Sequence, residues 1–552
     1  MKICNPMGLV LVVASFSAFG ADYYVATNGS DSASGTLGAP WQTIQKAATV
    51  MTAGDTCTIR GGTYRETVTP ANSGTSGNPI TYQAYSGETV VITGLEPVSG
   101  WTSHSGSIYK ADLTWSLDHE DQVFVVDGTN VTYLWEARWP NITEYSFDGL
   151  RAGFATADSG SVSTLVDNAL SQPNDYWNGA TVWYIGGKGG WLGKTSLISD
   201  FAGGTLTLAN TDSTRQDPTN GSEYYLSGIL NELDVENEWY IDAGNNEIYL
   251  WAPGGGVPDH IEVKSRLEGM ILQNVAYIHV EGIDFLAANI QLENADYCMI
   301  DDINARYIYG SDKSLSYSAS NQREGGINVV GDHNTIRNSE LSYTTGSMVQ
   351  LKGSGNKVVN NHIHHTTMLG NYASAIQIDT GDSHLISHNT IHDVGRCAFS
   401  STKEVYKSII QHNRIYDYMW LSSDGAAIYV WGMDMGNTEF RYNIISDGHG
   451  VLNGWGHKAT HGIYMDNGVN NVLIHHNVIY DVGDSTSYCI KFNQPGNYRV
   501  AYNNTLVDST GGSFDTGPNG AFDPDLFCCL LNNNILTESV TQHAELLFED
   551  NI

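Results

Sequence analysis

Basic residues are scarce in this chain: 26 Lys and Arg stand against 60 Asp and Glu, a formal net charge of −34. Nucleic acid and acidic lipid surfaces repel such a chain at long range, so neither is read as a partner. The excess acid is read as solubility in a saline setting. Charge of either sign is thin, at 16% of residues, while Gly reaches 59. Both suit a β-rich secreted protein with many tight corners. Beyond the first twenty residues no apolar run is long enough to cross a bilayer, so no membrane association is expected. Cysteine is sparse too. Removing the leader leaves Cys57, Cys298, Cys397, Cys489, Cys528 and Cys529, mostly in apolar, strand-like surroundings. Buried thiols and disulfides are both open there, and no zinc spacing is visible.

What the N-terminus does have is Lys2, an apolar run from Gly8 to Phe19, and small residues at Ala18 and Gly20. This reads as a Sec-type signal peptide over 1–20, cleaved near Gly20/Ala21. The mature chain is expected outside the cytoplasm, periplasmic or extracellular, as a soluble monomer.

From about Glu324 to Glu538 one phrase recurs: Asn, any residue, an aliphatic, any residue, Asp. Copies stand at Asn389/Ile391/Asp393, Asn413/Ile415/Asp417, Asn443/Ile445/Asp447, Asn477/Ile479/Asp481 and Asn504/Leu506/Asp508, with weaker ones at Asn338, Asn361/Ile363/His365 and Asn534/Leu536/Glu538. Successive Asn are 23, 28, 24, 30, 34, 27 and 30 residues apart. A period of this size with strand-like alternation predicts a solenoid of β-strand coils. Such a fold lengthens without thickening its core, which accommodates 552 residues. In stacked coils the same corner recurs about every 4.8 Å. An Asn there tolerates left-handed backbone and can bond the Asn above and below. The ladder is read as structural, not catalytic. No capping helix follows before Ile552, which fits either a fragment or an exposed last coil.

The opening, from Asp22, reads as a strand ending at Asn28-Gly29 and a short amphipathic helix with Ile44, Ala47, Ala48 and Met51 on one face. That helix would cover the unpaired edge of the first coil. With CTIRGGTYRE and PITYQAYSGETVVITG as first coils, residues 21–95 resemble the entry of secreted right-handed parallel β-helix proteins, many of them carbohydrate-active enzymes. Residues 96–260 break the repeat and read as an inserted β-rich domain, a small sandwich. LWEARWPN and NEWYIDAGNNEIYLWAP within it resemble the segment preceding the main solenoid of several β-helix glycoside hydrolases. Coils resume over 261–552. The fold class expected is therefore all-β, a right-handed parallel β-helix with a β-rich insertion and an N-terminal capping helix.

Aligning the coils lines up AIQIDTG (375–381), AIYVWG (427–432), GIYMDNG (462–468) and CIKFNQ (489–494). Alternation sends Ile376, Ile428, Ile463 and Ile490 inward. Outward columns then hold Gln377, Tyr429, Tyr464 and Lys491, and beside them Asp379, Trp431, Asp466 and Asn493. Rings, carboxylates and amides in register, with Trp420 and Trp455 nearby, have the composition of a sugar-binding groove. Asp424 and Asp466 stand outside the ladder on neighbouring coils, and an offset pair suits the two carboxyls of a glycosidase: one protonated to release the leaving oxygen, one ionised to attack the sugar or activate water. His457 and His461, flanking Lys458 in a long turn, could bond a sugar or orient a carboxylate. His449, His475 and His476 add no convincing metal triad. No metal or other cofactor is assigned; calcium among turn carboxylates has no clear motif.

DGAAIYVWG followed by GIYMDNG is similar to glycoside hydrolase family 141 and its β-helix relatives, though Ala426 stands where Gly is commoner. The resemblance implies a glycosidase acting on fucan- or xylan-type polysaccharide, with Asp424 and Asp466 as its catalytic carboxylates. Two alternatives stand. One is a polysaccharide lyase, with Arg396, Lys403, Tyr406 and Lys407 as neutraliser and base; the other is a glycan-binding solenoid without catalysis.

Overall fold

The structure is a computed structural model describing residues 20–209, 216–311, 325–401, 403–493, 495–507, 509–517, 529–532, 534–536, 540–541 and 546–549. Residues 1–19, the bulk of the expected signal peptide, and Asp508, Cys528 and Glu538 fall outside them. Three parallel sheets, of 14, 12 and 12 strands among the described residues, run the length of the solenoid. One coil shows the plan: Leu385–Ser387 lies in the first sheet, Thr390–Val394 in the second and Cys397–Ser401 in the third, before Ile409–Gln411 rejoins the first. Isoleucines from each sheet meet in one continuous core. Cys57, Cys298, Cys397 and Cys489 are buried free thiols.

The asparagine ladder forms at the corner between first and second sheets. The Nδ2–H of Asn361 donates to Asn389 Oδ1 at 3.1 Å, and the same bond repeats from Asn389 through Asn413, Asn443, Asn477 and Asn504 to Asn534 at 2.9–3.0 Å. Each backbone N–H donates to the same Oδ1. Two details differ from expectation. The left-handed residue is the one before the ladder Asn: Asn360, His388, His412, Tyr442, His476 and Asn503 have φ of 53–58°. The amide can then turn inward while the preceding ring turns out, and His388, His412, Tyr442 and His476 stack with centroids 4.9–5.0 Å apart. Ser339 takes the rung expected of Asn338, receiving the N–H of Ile303 on its Oγ, while Asn338 accepts from Asn360 on the outside.

Helix α1 (Ile44–Val50) is capped by Thr43, whose side chain accepts from the Lys46 N–H, and buries Ile44, Ala47 and Ala48 on the first coil. The insertion leaves the solenoid after Val90–Thr93, and its first and last strands, Leu95–Pro97 and Ile261–Lys264, pair antiparallel at the exit. They belong to one of the two mostly antiparallel eight-stranded sheets that make up the insertion. Each has its own apolar cluster, so the two do not share the single core of a sandwich. A further cluster joins insertion to solenoid, with Trp135, Phe147, Leu150, Trp183 and Ile185 packed on Met368, Leu369, Leu421 and Val451. This contact sets one wall of the candidate site.

Candidate active site

Six successive strands of the third sheet form the floor: β1 (Ser374–Asp382), β2 (Cys397–Ser401), β3 (Gly425–Val430), β4 (Thr460–Met465), β5 (Tyr488–Phe492) and β6 (Gly512–Asp515). Their register stacks Ile376, Phe399, Ile428, Ile463, Ile490 and Phe514 in the core. One residue on, Gln377, Ser400, Tyr429, Tyr464, Lys491 and Asp515 form the outer column.

Asp424 immediately precedes β3 in left-handed backbone, φ 55°, and its N–H donates to Ala459 O at 2.6 Å. Its Oδ2 accepts the indole N–H of Trp191 at 2.8 Å. Trp191 belongs to the insertion, in the turn between strands Thr181–Gly186 and Leu192–Ala202. That turn is pinned onto the solenoid: Ser423 N–H donates to Gly190 O at 2.7 Å and Gly454 N–H to Lys188 O at 2.7 Å. Gly190 sits at φ 66°, and a Cβ there would press on Asn453 and Ser423, so the close approach needs glycine. Burial holds the Asp424 carboxyl above its ordinary value and the Asp466 charge adds to this, while Lys491, the indole bond and Arg396 act against it.

Asp466 follows β4, and four donors converge on it. Oδ2 accepts the Tyr429 hydroxyl at 2.9 Å; Oδ1 accepts the Tyr464 hydroxyl at 3.1 Å, the Asn467 N–H at 2.7 Å and Asn493 Nδ2–H at 2.8 Å. Burial and the Asp466 charge push both phenols well up, so they stay protonated donors. Tyr464 also feels the charge of Asp424. The carboxyls thus stand at opposite ends of the β3–β4 pair with the two tyrosines between them.

Two cations flank this floor. Arg396 is buried, its guanidinium 4.4 Å over the Tyr372 ring and 5.0 Å over Tyr429, and Nε–H donates to Trp191 O at 3.2 Å. Burial opposes its charge, yet the Cys397 thiol, Tyr372, Tyr429 and Asp424 hold it above its ordinary value. Lys491 lies 5.2 Å over Tyr464 and 3.9 Å from Asp515 Oδ2.

Of the residues expected to bind substrate, Tyr429, Tyr464, Lys491 and Asn493 gather around the carboxylates, and Trp431 and Trp455 are 43% and 50% exposed. Three placements correct the expectation. Gln377 and Asp379 are buried in their own network, with Gln377 Oε1 accepting Ser347 Oγ–H at 3.0 Å and Asp379 paired to Lys352 at 2.8 Å. His461 lies on β4, not in a turn, and is fully buried, with Nδ1 accepting the Tyr488 N–H at 3.0 Å. Burial and the Lys491 charge hold it well below its ordinary value, so it is neutral and touches no solvent. His457 lies in the loop beyond Trp455, where its N–H donates to Asn453 Oδ1. Of the residues offered for a lyase, Arg396 stands at the start of β2 and Lys403, Tyr406 and Lys407 lie past its far end. Trp191, Tyr372 and Asp515 have no signal in the repeat. A separate cleft of about 250 Å³ between insertion and solenoid contains Asp118 and Asp121, but these hold their own loop: Asp121 accepts from Ser116 and Leu117, and Asp118 pairs with His119.

A floor of coil-stacked parallel strands with a carboxylate at each end defines a right-handed parallel β-helix protein, and comparison supports that class. Residues 23–133 match the Pel9A-like right handed beta helix region and residues 288–460 the right handed beta helix region. Among curated relatives, the chain is 44% identical over 104 residues to pectate lyase PEL9 of Emericella nidulans, 18% of this chain and 23% of that protein. It is 49% identical over 74 residues to the uncharacterized protein YwoF of Bacillus subtilis, 13% of this chain and 16% of that one. The chain thus spans under a quarter of these relatives. Among solved structures, a glycoside hydrolase superposes with TM-score 0.67 at 14% identity, covering 96% of each chain. XylC in complex with xylose superposes with TM-score 0.53 at 16% identity, covering 96% of this chain and 86% of that one. At such identities the likeness is one of fold. The matching models describe β-helix regions and not a single hydrolase family.

Proposed function

We propose that this protein is a secreted glycoside hydrolase acting on a plant or algal polysaccharide of fucan or xylan type. The observation carrying the reading is the asymmetric carboxyl pair: Asp424 held above its ordinary value, Asp466 gripped by four donors, with aromatic rings between. Asp424 is the general acid. The Trp191 N–H on Oδ2 leaves the proton on Oδ1, facing the leaving oxygen. Asp466 is the ionised partner that attacks the sugar or takes the proton from water, and its donors keep it aimed. The exposed Trp431 gives the sugar a stacking surface, while the buried Tyr429 and Tyr464 hold Asp466 through their hydroxyls.

The direct test is digestion of a panel of fucans, xylans, pectins and carrageenans by wild type and Asp466→Asn. Expected are new reducing ends without unsaturated products, absent in the variant. Ultraviolet-absorbing unsaturated products from a uronate glycan would overturn hydrolysis. A lyase is the second reading because of the PEL9 relative and the Pel9A-like match. That match covers residues 23–133, which carry neither Asp424 nor Asp466, so it bears on the first coils and not on this site.

The pH profile gives a signed prediction. Activity needs Asp424 protonated, so its loss of a proton sets the alkaline limb. Lys491 favours the carboxylate, hence Lys491→Met moves that limb of kcat/KM to higher pH. Trp191→Phe moves it the same way and also frees the acid to turn, lowering kcat by about 10–100-fold. Initial rates across a pH series check both; a limb moving down in either variant assigns it to another group.

A further inference from the structure

On the second sheet, one sheet away from the carboxylates, imidazoles converge. Strands Glu340–Thr344, His362–Thr366 and Thr390–Val394 pair in register, with Glu340 beside His362 and His364 beside His392. Leu341, Ile363 and Ile391 point into the core, so alternation turns Glu340, His362, His364 and His392 outward. Ligand atoms of Glu340, His362 and His364 all lie within 4.8 Å of one another. His364 Nε2 is 3.3 Å from Glu340 Oε1, and His362 Nε2 is 2.7 Å from His392 Nε2.

The outer nitrogens are already engaged. His392 Nδ1–H donates to Asp393 Oδ2 at 2.7 Å, and His364 Nδ1 lies 2.8 Å from His365 Nδ1. A carboxylate behind an imidazole fixes its tautomer and presents Nε2 as a ligand, the usual support for metal-bound histidine. The Nε2 pair of His362 and His392 is held together by one proton, which a cation can replace. Tetrahedral zinc with bonds of about 2.0–2.1 Å needs ligand atoms roughly 3.3 Å apart; His364 and Glu340 are at that spacing, His362 lies within 4.8 Å of both, and His392, held 2.7 Å from His362, lies outside that set and must turn inward to complete it. Three imidazoles and one carboxylate suit Zn²⁺ and its neighbours over Ca²⁺ or Mg²⁺.

We propose that Glu340, His362, His364 and His392 bind one divalent transition-metal ion of the Zn²⁺ class, tying three successive coils together. Because its ligands come from strands aligned only in the folded solenoid, the ion stabilises the native chain and not the unfolded one.

The test uses the full chain, free of any histidine tag and stripped with chelator, titrated with Zn²⁺ by calorimetry and with Co²⁺ by visible absorption. Expected are one equivalent bound, the intense d–d bands of tetrahedral Co²⁺, and a higher unfolding temperature with Zn²⁺. His362→Ala/His364→Ala removes all three, and Asp393→Asn weakens binding by about 10–100-fold. Glu340→Gln, at an exposed position, weakens binding without a change in circular dichroism, which separates ligand loss from misfolding. His388→Ala, in the ring stack at the edge of the first sheet, binds as wild type does. No stoichiometric uptake by the wild type, or uptake undiminished in both the double variant and Glu340→Gln, overturns the site.

Discussion

Asp424→Asn is expected to lower kcat on native glycan by about 10²–10⁴-fold with KM changed little, the usual loss on removing a general acid. Asparagine keeps the shape and still accepts the Trp191 N–H, so the groove persists and only the proton is lost. Aryl glycosides with good leaving groups need no protonation and should recover most of the rate. That dependence on leaving group separates an acid from a residue that merely holds substrate, and a non-catalytic binder would show no turnover to lose. Stability should move oppositely. The folded Asp424 carboxyl lies above its unfolded value, so the native state holds its proton more tightly, and stability falls as pH rises from the ordinary aspartate range through the folded value. The amide has no proton to lose. Asp424→Asn should therefore unfold at a higher temperature than wild type near neutral pH, with the advantage vanishing below the ordinary aspartate range. Thermal scans at both ends of that window check the sign, and an unchanged difference across it would remove Asp424 as the strained group.

The repeat was legible because stacking is a local rule: alternation and a recurrent corner place Ile428 over Ile463 and Tyr429 over Tyr464 whatever lies between. The same rule failed wherever the phrase was absent. Cys397–Ser401 lacks the Ile-x-aliphatic pattern, so the strand between Ala375–Gly381 and Ala427–Gly432 escapes the alignment, and with it the place of Ser400 in the outer column. The left-handed corner was misplaced by one residue because Asn is the commonest left-handed residue after glycine; here the amide is needed inward, and a His or Tyr that stacks on its neighbours takes the strained backbone. Trp191 was out of reach altogether. It lies 233 residues from Asp424 in the chain, and only docking of the insertion, through contacts such as Trp183 on Leu369, brings them together. The half of the site made by stacking could be read; the half made by docking could not.

Asn443→Ala, a mid-ladder change, should cost about 3–5 kcal/mol. Asn443 Oδ1 accepts both the N–H and the Nδ2–H of Asn413, and its own Nδ2 donates to Ile410 O and Asn477 Oδ1. All three asparagines are buried at 2% exposure or less. Removing the amide strands the Asn413 N–H, and an unsatisfied buried donor costs about 1–3 kcal/mol beyond the bonds lost. Neighbours cannot compensate, because each coil contacts only those beside it. Serine should restore part of the loss: Ser339 fills the equivalent rung unaided, its Oγ accepting the N–H of Ile303 at 3.2 Å. The expected order of urea midpoints is wild type, then Asn443→Ser, then Asn443→Ala, with alanine at Asn338 losing only about 1–2 kcal/mol from placing alanine in left-handed backbone, because that amide lies exposed outside the ladder. An Asn338 loss as large as that at Asn443 would mean that the outer amides, and not the buried file of Oδ1 acceptors, hold the coils in register.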